Sequence, residues 1–431
     1  MKNIKNYIGQ GLIFLVLIPF VFVACNDDEE ATGSPKITNV RLTDPETAGM
    51  SLTQAPLGAT IVVEGVNLGN VTELYMNDEA IDLNPAFVTD KNIIFTISDS
   101  IPTLATYPNV PNTIRVIARN GAYAIYDFQT LPPPAVITQI SNELAKVGDE
   151  ITLFGRYFYF VDSVVFPGDV VVTEGITTGA NGTWLSVIVP EGFEVAENDR
   201  DILVASKSGV SSIGKGTKFS LGEGIVADFD NDGIFSWPQN GAGNWGWGIP
   251  NSNIVNTAPG IDPYDGYFGL VNVILAPDYA WANEKVINLA NWAGDQIFPT
   301  APAEKYEDNI PIANFAAKME MAVSTSASIA NLEVQIMVFD QDGTELTANV
   351  KMANFVKTTD GTWYTVTIPL DKVANNDTKL NRYKDLLKGG GLDDNGVLIH
   401  HYRVVIINPH PTEAVPVVLG IDNMRVENTV L

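Results

Sequence analysis

The sequence predicts an all-β chain: two small tandem β-sandwiches followed by a larger one. Three observations predict it. Short β-branched runs recur between clusters of Gly, Asn, Asp and Pro, as in sandwich proteins, and helical periodicity is scarce. One set of these runs occurs twice in the first half of the chain. The segment that follows, 222–431, is too long to be a third copy.

Residues 1–24 read as an export signal. Lys2 and Lys5 give a basic start, and 12–24 is a continuous apolar run. As a helix that run would span about 20 Å, short of the roughly 30 Å of a bilayer core. Cys25, the only cysteine of the chain, follows directly and precedes Asn26-Asp27-Asp28-Glu29-Glu30. The segment resembles a bacterial lipoprotein signal cut between Ala24 and Cys25, with Phe22 where that family usually has Leu. The resemblance implies that Cys25 is lipidated and becomes the N-terminus. An ordinary secretory signal followed by a stray thiol is the alternative, although no second cysteine exists to pair with it. Residues 25–34 form an acidic tether, extended because like charges repel. They also resemble the acidic tag that directs lipoproteins of the Bacteroidetes to the outer face of the outer membrane.

Residues 35–131 and 132–221 are the two copies. Ile37-Thr38-Asn39-Val40 matches Ile137-Thr138-Gln139-Ile140, and Gly58 to Gly65 matches Gly148 to Gly155. Val71-Thr72-Glu73-Leu74-Tyr75 matches Val161-Asp162-Ser163-Val164-Val165. The first glycine of each pair suits a turn entering a strand, and the second is expected at the strand's end, where a positive φ is often required. With Gly65-Val66-Asn67-Leu68 and Gly155-Arg156-Tyr157-Phe158, these units resemble immunoglobulin-like IPT/TIG modules. Leu131-Pro132-Pro133-Pro134 joins them as a semi-rigid linker, since proline fixes φ.

In 222–431, Gly361 to Leu370 alternates as a half-buried strand and Val417 to Val426 reads as a closing strand. Both resemble strands of carbohydrate-binding jelly rolls. A helix is expected over 378–388, capped by Asp377 and ended by Gly389-Gly390-Gly391. The predicted architecture is two tandem immunoglobulin-like (IPT/TIG) β-sandwiches followed by a larger jelly-roll β-sandwich. Taken together, the chain resembles a surface glycan-binding lipoprotein of a Bacteroidetes starch-utilisation-like (Sus-like) system, in which the distal domain holds the glycan.

Composition restricts the partners. Among 431 residues the net charge is −26, which argues against nucleic acid and anionic membrane surfaces. Contact with a membrane is expected only through the lipid. Three histidines make a histidine-rich metal site unlikely on numbers alone.

Five of the seven tryptophans, Trp237, Trp245, Trp247, Trp281 and Trp292, lie within a short stretch together with Tyr264, Tyr267 and Tyr279. Sugar rings stack their C–H faces on flat aromatic surfaces, and their hydroxyls need amide or carboxylate partners. Trp245 and Trp247 sit among glycines that offer little local scaffold to bury them. Trp281 and Trp292 sit among Asp278, Asn283 and other polar residues. The candidate glycan-binding set is therefore Trp245, Trp247, Trp281, Trp292, Tyr267, Tyr279, Asn283 and Asp278. Core packing is the competing role for any single Trp, and it is the expected role of Trp363, which opens an alternating strand.

Asp228-Phe229-Asp230-Asn231-Asp232-Gly233 imitates the start of a calcium loop, but its twelfth position is Gln239 rather than Glu. The jelly-roll resemblance implies that Asp228 and Asp422 are the pair to hold a structural calcium, with ordinary acidic turn residues as the alternative. No other cofactor is expected. The sequence contains no Gly-x-Ser-x-Gly elbow, His-Glu-x-x-His or P-loop. His400 and His401, adjacent on a strand, would point to opposite faces. The expected function is non-catalytic capture of a polysaccharide or oligosaccharide for a neighbouring outer-membrane importer. A surface adhesin that binds protein and a glycoside hydrolase are the alternatives.

Overall fold

The structure is a computed structural model that describes residues 33–47, 49–230, 248–291, 296–392, 396 and 398–430. Cys25, Trp245, Trp247 and Trp292 lie outside the described residues. The chain forms two compact units. One holds most of residues 33–129; the other holds 130–431 with the short pieces Gln54–Leu57 and Pro102–Val110. No helix of the described residues is long and apolar enough to cross a membrane.

The first unit is a two-sheet sandwich. Lys36–Leu42, Thr60–Val66 and Asn92–Thr96 form one sheet; Glu79–Ile81, Val71–Met76, Thr113–Ala118 and Tyr123–Asp127 form the other. Val40, Ile61, Val63, Leu74, Ile114 and Val116 are buried, each on the inward side of an alternating strand.

Residues 136–210 repeat this topology. Val136–Ile140 pairs with Glu150–Arg156 and Val161–Phe166 with Leu203–Ser206. The opening strand carries the same bulge in both copies, between Ile37 and Asn39 and between Ile137 and Gln139. Gly58 and Gly148 have φ of 82° and 94°, as expected of turn glycines.

Gly65 and Gly155 are required for a different reason from the one expected. Neither has a positive φ. A Cβ on Gly65 would lie 2.0 Å from the Lys36 carbonyl oxygen, and one on Gly155 would lie 1.9 Å from that of Val136. The positive φ falls two residues later, at Asn67 (58°) and Tyr157 (65°).

The C-terminal sandwich contains, in chain order, β1 (Ile225–Ala227), β2 (Ile254–Val255), β3 (Phe268–Leu275), β4 (Val286–Asn291), β5 (Phe315–Ser324) and β6 (Glu333–Phe339). It continues with β7 (Glu345–Lys351), β8 (Asp360–Pro369), α1 (Tyr383–Leu387), β9 (Gly391–Leu392), β10 (Leu398–Ile407) and β11 (Val415–Asn428). Among the described residues, one sheet has the order β2-β3-β11-β5-β8 with β1 also on β11, and the other β4-β10-β6-β7 with β9 on β10. All these pairings are antiparallel. The core between the sheets is apolar, with Val271, Met319, Met321, Val366, Leu419 and Ile421 facing Leu289, Ile336, Tyr402 and Val404.

The helix predicted over 378–388 is shorter than expected. The side chain of Asn375 accepts the N–H groups of Asp377 and Thr378 and bends the chain there. Ala374 bridges to Thr347 of β7, and the first turn of α1 is closed by Asp385, which accepts the N–H groups of Asn381 and Arg382.

Strands β5 and β11 are buried on both faces, because residues 139–143, 200 and 220 of the second immunoglobulin-like sandwich cover the outer face of their sheet. Thr365 N–H donates to the Ser141 carbonyl (2.8 Å), and Glu143 N–H donates to Thr365 Oγ1 (2.9 Å). Buried ion pairs cross the same seam: Lys318 to Glu143 (2.5 Å), Arg200 to Glu427 (3.0 Å), and beside them Arg425 to Glu320 (2.7 Å). Burial alone would raise the Glu427 carboxyl, but Lys318, Arg425 and Arg200 hold it below its ordinary value. Such pairs add little net stability over an apolar contact, yet removing one partner strands a buried charge at a cost of about 3–5 kcal/mol.

Candidate functional site

Strand β3 ends at Leu275, and β4 of the opposite sheet begins at Val286. The loop between them displays Tyr279 and Trp281 at 58% and 55% exposure, with Asp278 and Asn283 also exposed. The residues around them explain why aromatics stand outward here. Pro277 and two consecutive residues of positive φ, Asp278 (56°) and Tyr279 (57°), turn the chain sharply. A tyrosine in that region costs about 1–2 kcal/mol and persists only where its surroundings enforce it.

The enforcement is visible. Asp278 N–H donates to the His410 carbonyl (2.7 Å) and Tyr279 N–H to the Asn408 carbonyl (3.1 Å). Asn408, itself buried, donates from Nδ2 to the carbonyls of Leu275 (3.1 Å) and Glu413 (2.8 Å) and accepts the His410 N–H. On the other side Lys285 reaches back from a buried position to the Ala280 carbonyl (2.7 Å). Burial pushes its ammonium below the ordinary lysine range. Trp281 Nε1–H donates to Asn283 Oδ1 (3.1 Å), which fixes the indole and satisfies its polar edge. Four of the sequence-predicted residues, Asp278, Tyr279, Trp281 and Asn283, thus share one rigid loop.

Tyr267 is 47% exposed but stands at the opposite end of β3, so the length of that strand, about 25 Å at about 3.3 Å per residue, separates it from Trp281. Its N–H is held by the side chain of Asp230. Asn408 and Lys285 escaped the sequence reading. Asn408-Pro409 signals a turn, but nothing local marks its amide as the clamp of a distant loop.

Asp228 directly follows β1, which pairs with β11 where Asp422 lies, and the carboxylates that act on Asp422 are Asp265, Glu320 and Asp230. Ala227 pairs with Met424, and against β5 the register of β11 shifts between Asp422 and Arg425, where Asn423 has φ of 46°. Asp228 Oδ1 accepts the Asp230 N–H (3.2 Å), and Asp422 Oδ1 accepts the Asn423 N–H (2.7 Å). Asp422 is fully buried, and its Oδ2 has no hydrogen-bond partner. Burial, with Asp265 nearby, pushes its carboxyl up to about 9. Among the described residues no three His, Cys, Asp or Glu side chains gather closely enough to hold a metal ion.

His400 and His401 face opposite sides of β10, as expected: Tyr402 and His400 lie on the inner side, and His401 packs on Phe339 with ring centroids 4.9 Å apart. Beside it Arg403 donates to Asn288 Oδ1 (3.0 Å) and pairs with Glu345 (3.1 Å). Trp363 does not enter the main core. Tyr364 takes the inward position, and Trp363 lies half-buried on the outer face of the six-stranded sheet.

A terminal β-sandwich that displays aromatic, amide and carboxylate side chains on a stiffened loop, carried behind immunoglobulin-like sandwiches, has the build of a carbohydrate-binding protein. Residues 219–428 match the family model of the surface glycan-binding protein B xyloglucan binding domain. An IPT/TIG domain-containing protein of Bacteroides ovatus is 36% identical over 169 residues, 38% of this chain and 34% of that protein. The chain therefore spans about a third of the length of that curated relative. Among solved structures, a surface glycan-binding protein of Prevotella bryantii aligns over 92% of this chain and 99% of its own, with a TM-score of 0.58 and 19% identity, which shows the shared fold. The resemblance to IPT/TIG-bearing surface glycan-binding proteins stands.

Proposed function

We propose that this protein is a non-catalytic, cell-surface glycan-binding lipoprotein whose C-terminal sandwich captures a β-glucan of the xyloglucan type. The observation that carries the reading is the loop of Tyr279 and Trp281, over half exposed on a backbone that Asn408 and Lys285 hold rigid. Two adjacent aromatics offer stacking surface to successive sugar rings, and Asp278 and Asn283 offer oxygen and amide partners to the hydroxyls. The family match over 219–428 supports the xyloglucan class.

In this reading Trp245, Trp247 and Trp292, which lie outside the described residues, are further candidate sugar contacts, Tyr267 contacts only a longer chain, and Cys25 carries the lipid that holds the molecule on the outer membrane. Bound oligosaccharide passes to a neighbouring importer. Capture requires no chemistry, and the matched family and the Prevotella bryantii protein are both described as surface glycan-binding proteins.

Affinity electrophoresis of the purified chain through gels containing xyloglucan, mixed-linkage glucan, mannan or fructan tests the reading. Retardation by xyloglucan without release of reducing sugar is expected. A folded sample that no glucan retards would overturn it.

A further inference from the structure

A second surface on the same unit has the build of a sugar site, and it lies away from the Trp281 loop. Where the second immunoglobulin-like sandwich meets the C-terminal sandwich, a cleft of about 450 Å³ opens to solvent. That volume lies within the roughly 300–1,000 Å³ of small-molecule sites. One wall is aromatic: Trp363 meets Tyr264 edge-on, with ring centroids 5.8 Å apart at 66°. Phe268 supports the indole from beneath at 5.4 Å, and Nε1–H donates to the Asp262 carbonyl (2.9 Å). A Cβ at Gly420 would lie 2.7 Å from the Trp363 ring, so glycine in β11 leaves the indole room across the sheet. The opposite rim comes from the immunoglobulin-like sandwich and carries the exposed carboxylates of Asp149 and Glu150, and Thr362 adds an exposed hydroxyl beside Trp363.

We propose that this cleft is a second binding site for a neutral oligosaccharide, with Trp363 and Tyr264 as the wall against which a sugar ring packs and Asp149, Glu150 and Thr362 as its hydroxyl partners. The proposal rests on the glycan-binding reading for its class of ligand. The lining carries two carboxylates, and the cation beside it, Lys146, lies over the Tyr264 ring at 5.9 Å and pairs with Asp265 (3.7 Å), so the charge left facing the cleft is acidic and favours neutral sugars over uronates. The two walls are fixed relative to each other. Tyr264 Oη lies 3.0 Å from both Asn142 Oδ1 and the Leu144 carbonyl, Thr365 bonds to Ser141 and Glu143, and Gln139 donates to the Phe355 carbonyl (3.1 Å). A preformed cleft saves the ordering cost that weakens most sugar sites.

Calorimetric titration of the full chain with a xyloglucan-derived oligosaccharide tests this, using Trp281→Ala for the loop and Thr362→Arg or Glu150→Lys for the cleft. Thr362 and Glu150 are exposed, so neither change crosses packed surface, and matching melting curves verify folding. The expected result is two sites per chain in the parent, one in each single variant, and none when Trp281→Ala and Thr362→Arg are combined. A parent with one site that Trp281→Ala removes, and that Thr362→Arg and Glu150→Lys leave unchanged, overturns the cleft and leaves the proposed function in place. A parent that binds no oligosaccharide overturns both.

Discussion

Replacing Trp281 with alanine should weaken glycan binding without weakening the fold. A tryptophan presents up to about 250 Å², so at 55% exposure roughly 140 Å² of Trp281 faces solvent. A stacked sugar covers one face, about half of that area. At about 25 cal/mol per Å² the contact contributes about 2 kcal/mol, a loss of roughly ten- to thirtyfold in Kd. The fold should be indifferent, because substitution of an exposed residue away from caps and cores stays within about 0.5 kcal/mol. Asn283→Ala is the graded comparison: it keeps the ring but removes the acceptor of Nε1–H together with an amide offered to the sugar, a change of about 1 kcal/mol per hydrogen bond. The assay is calorimetric titration with a xyloglucan oligosaccharide, beside a thermal melt of each variant. If Trp281→Ala binds as tightly as the parent while melting at the same temperature, stacking on this loop is not the mode of capture.

Asn408→Ala removes the amide that ties Leu275 to Glu413, so it should cost about 1–3 kcal/mol of stability and reduce affinity at the untouched Trp281, read by the same titration. His401 is pushed down to about 4, by burial first and then by Arg403 and His400. Because a base depressed in the fold takes its proton more readily when unfolded, this contribution to stability is intact above about pH 6.5 and lost as pH falls to about 4. His401→Phe should flatten that part of the denaturation profile. Asp422 behaves oppositely: an acid raised to about 9 favours the fold at low pH and loses stability as pH rises from about 4. Asp422→Asn should therefore stabilise at pH 7, by at most about 4 kcal/mol; destabilisation by the same change in calcium buffer would instead mark Asp422 as a cation ligand. Tyr157→Asn restores at φ 65° the residue type found at the matching Asn67 and should raise the melting temperature by relieving about 1 kcal/mol of backbone strain.

The parts of this molecule that sequence reveals are those set by local sterics or by an alternating strand. Gly65 and Gly155 recur because the carbonyl of the facing strand leaves no space for a Cβ, so the repeat was legible even though positive φ was the wrong reason for it. Alternation in β8 fixed which residues face opposite ways, but not what covers the outer side. That side meets a sandwich more than a hundred residues earlier in the chain, and pairs such as Arg200 with Glu427 leave no trace in either local sequence. The exposed aromatics of the β3–β4 loop were legible because Pro, Asp and Asn surround them. The separation of Tyr267 from them was not, since closeness in sequence says nothing about which end of a strand a residue occupies. The helix over 378–388 shrank for a comparable reason: Lys379 bridges to Ala374 and Arg382 to Pro311, far earlier in the chain, which holds the expected first turns extended.

The buried ionic seam bears directly on how a weak binder works. Sugar stacking on one or two exposed rings brings only modest net affinity, and chain entropy erodes it further if the surfaces move. Within residues 130–431 the Thr365–Ser141 and Lys318–Glu143 contacts hold the immunoglobulin-like sandwich against the outer face of the six-stranded sheet. The loop of Trp281 and the cleft of Trp363 therefore belong to one unit. Two weak sites at a fixed separation act on a long polysaccharide through effective concentration, because engagement of one makes the second an intramolecular event. On that argument a polymer should bind more tightly than any oligosaccharide too short to reach both sites. Weakening the seam by Lys318→Met should loosen the Asp149 and Glu150 rim of the cleft, so short-oligosaccharide affinity at the cleft and the polymer's advantage should fall together while binding at the Trp281 loop is unchanged; a polymer that keeps its full advantage in this variant would refute the argument.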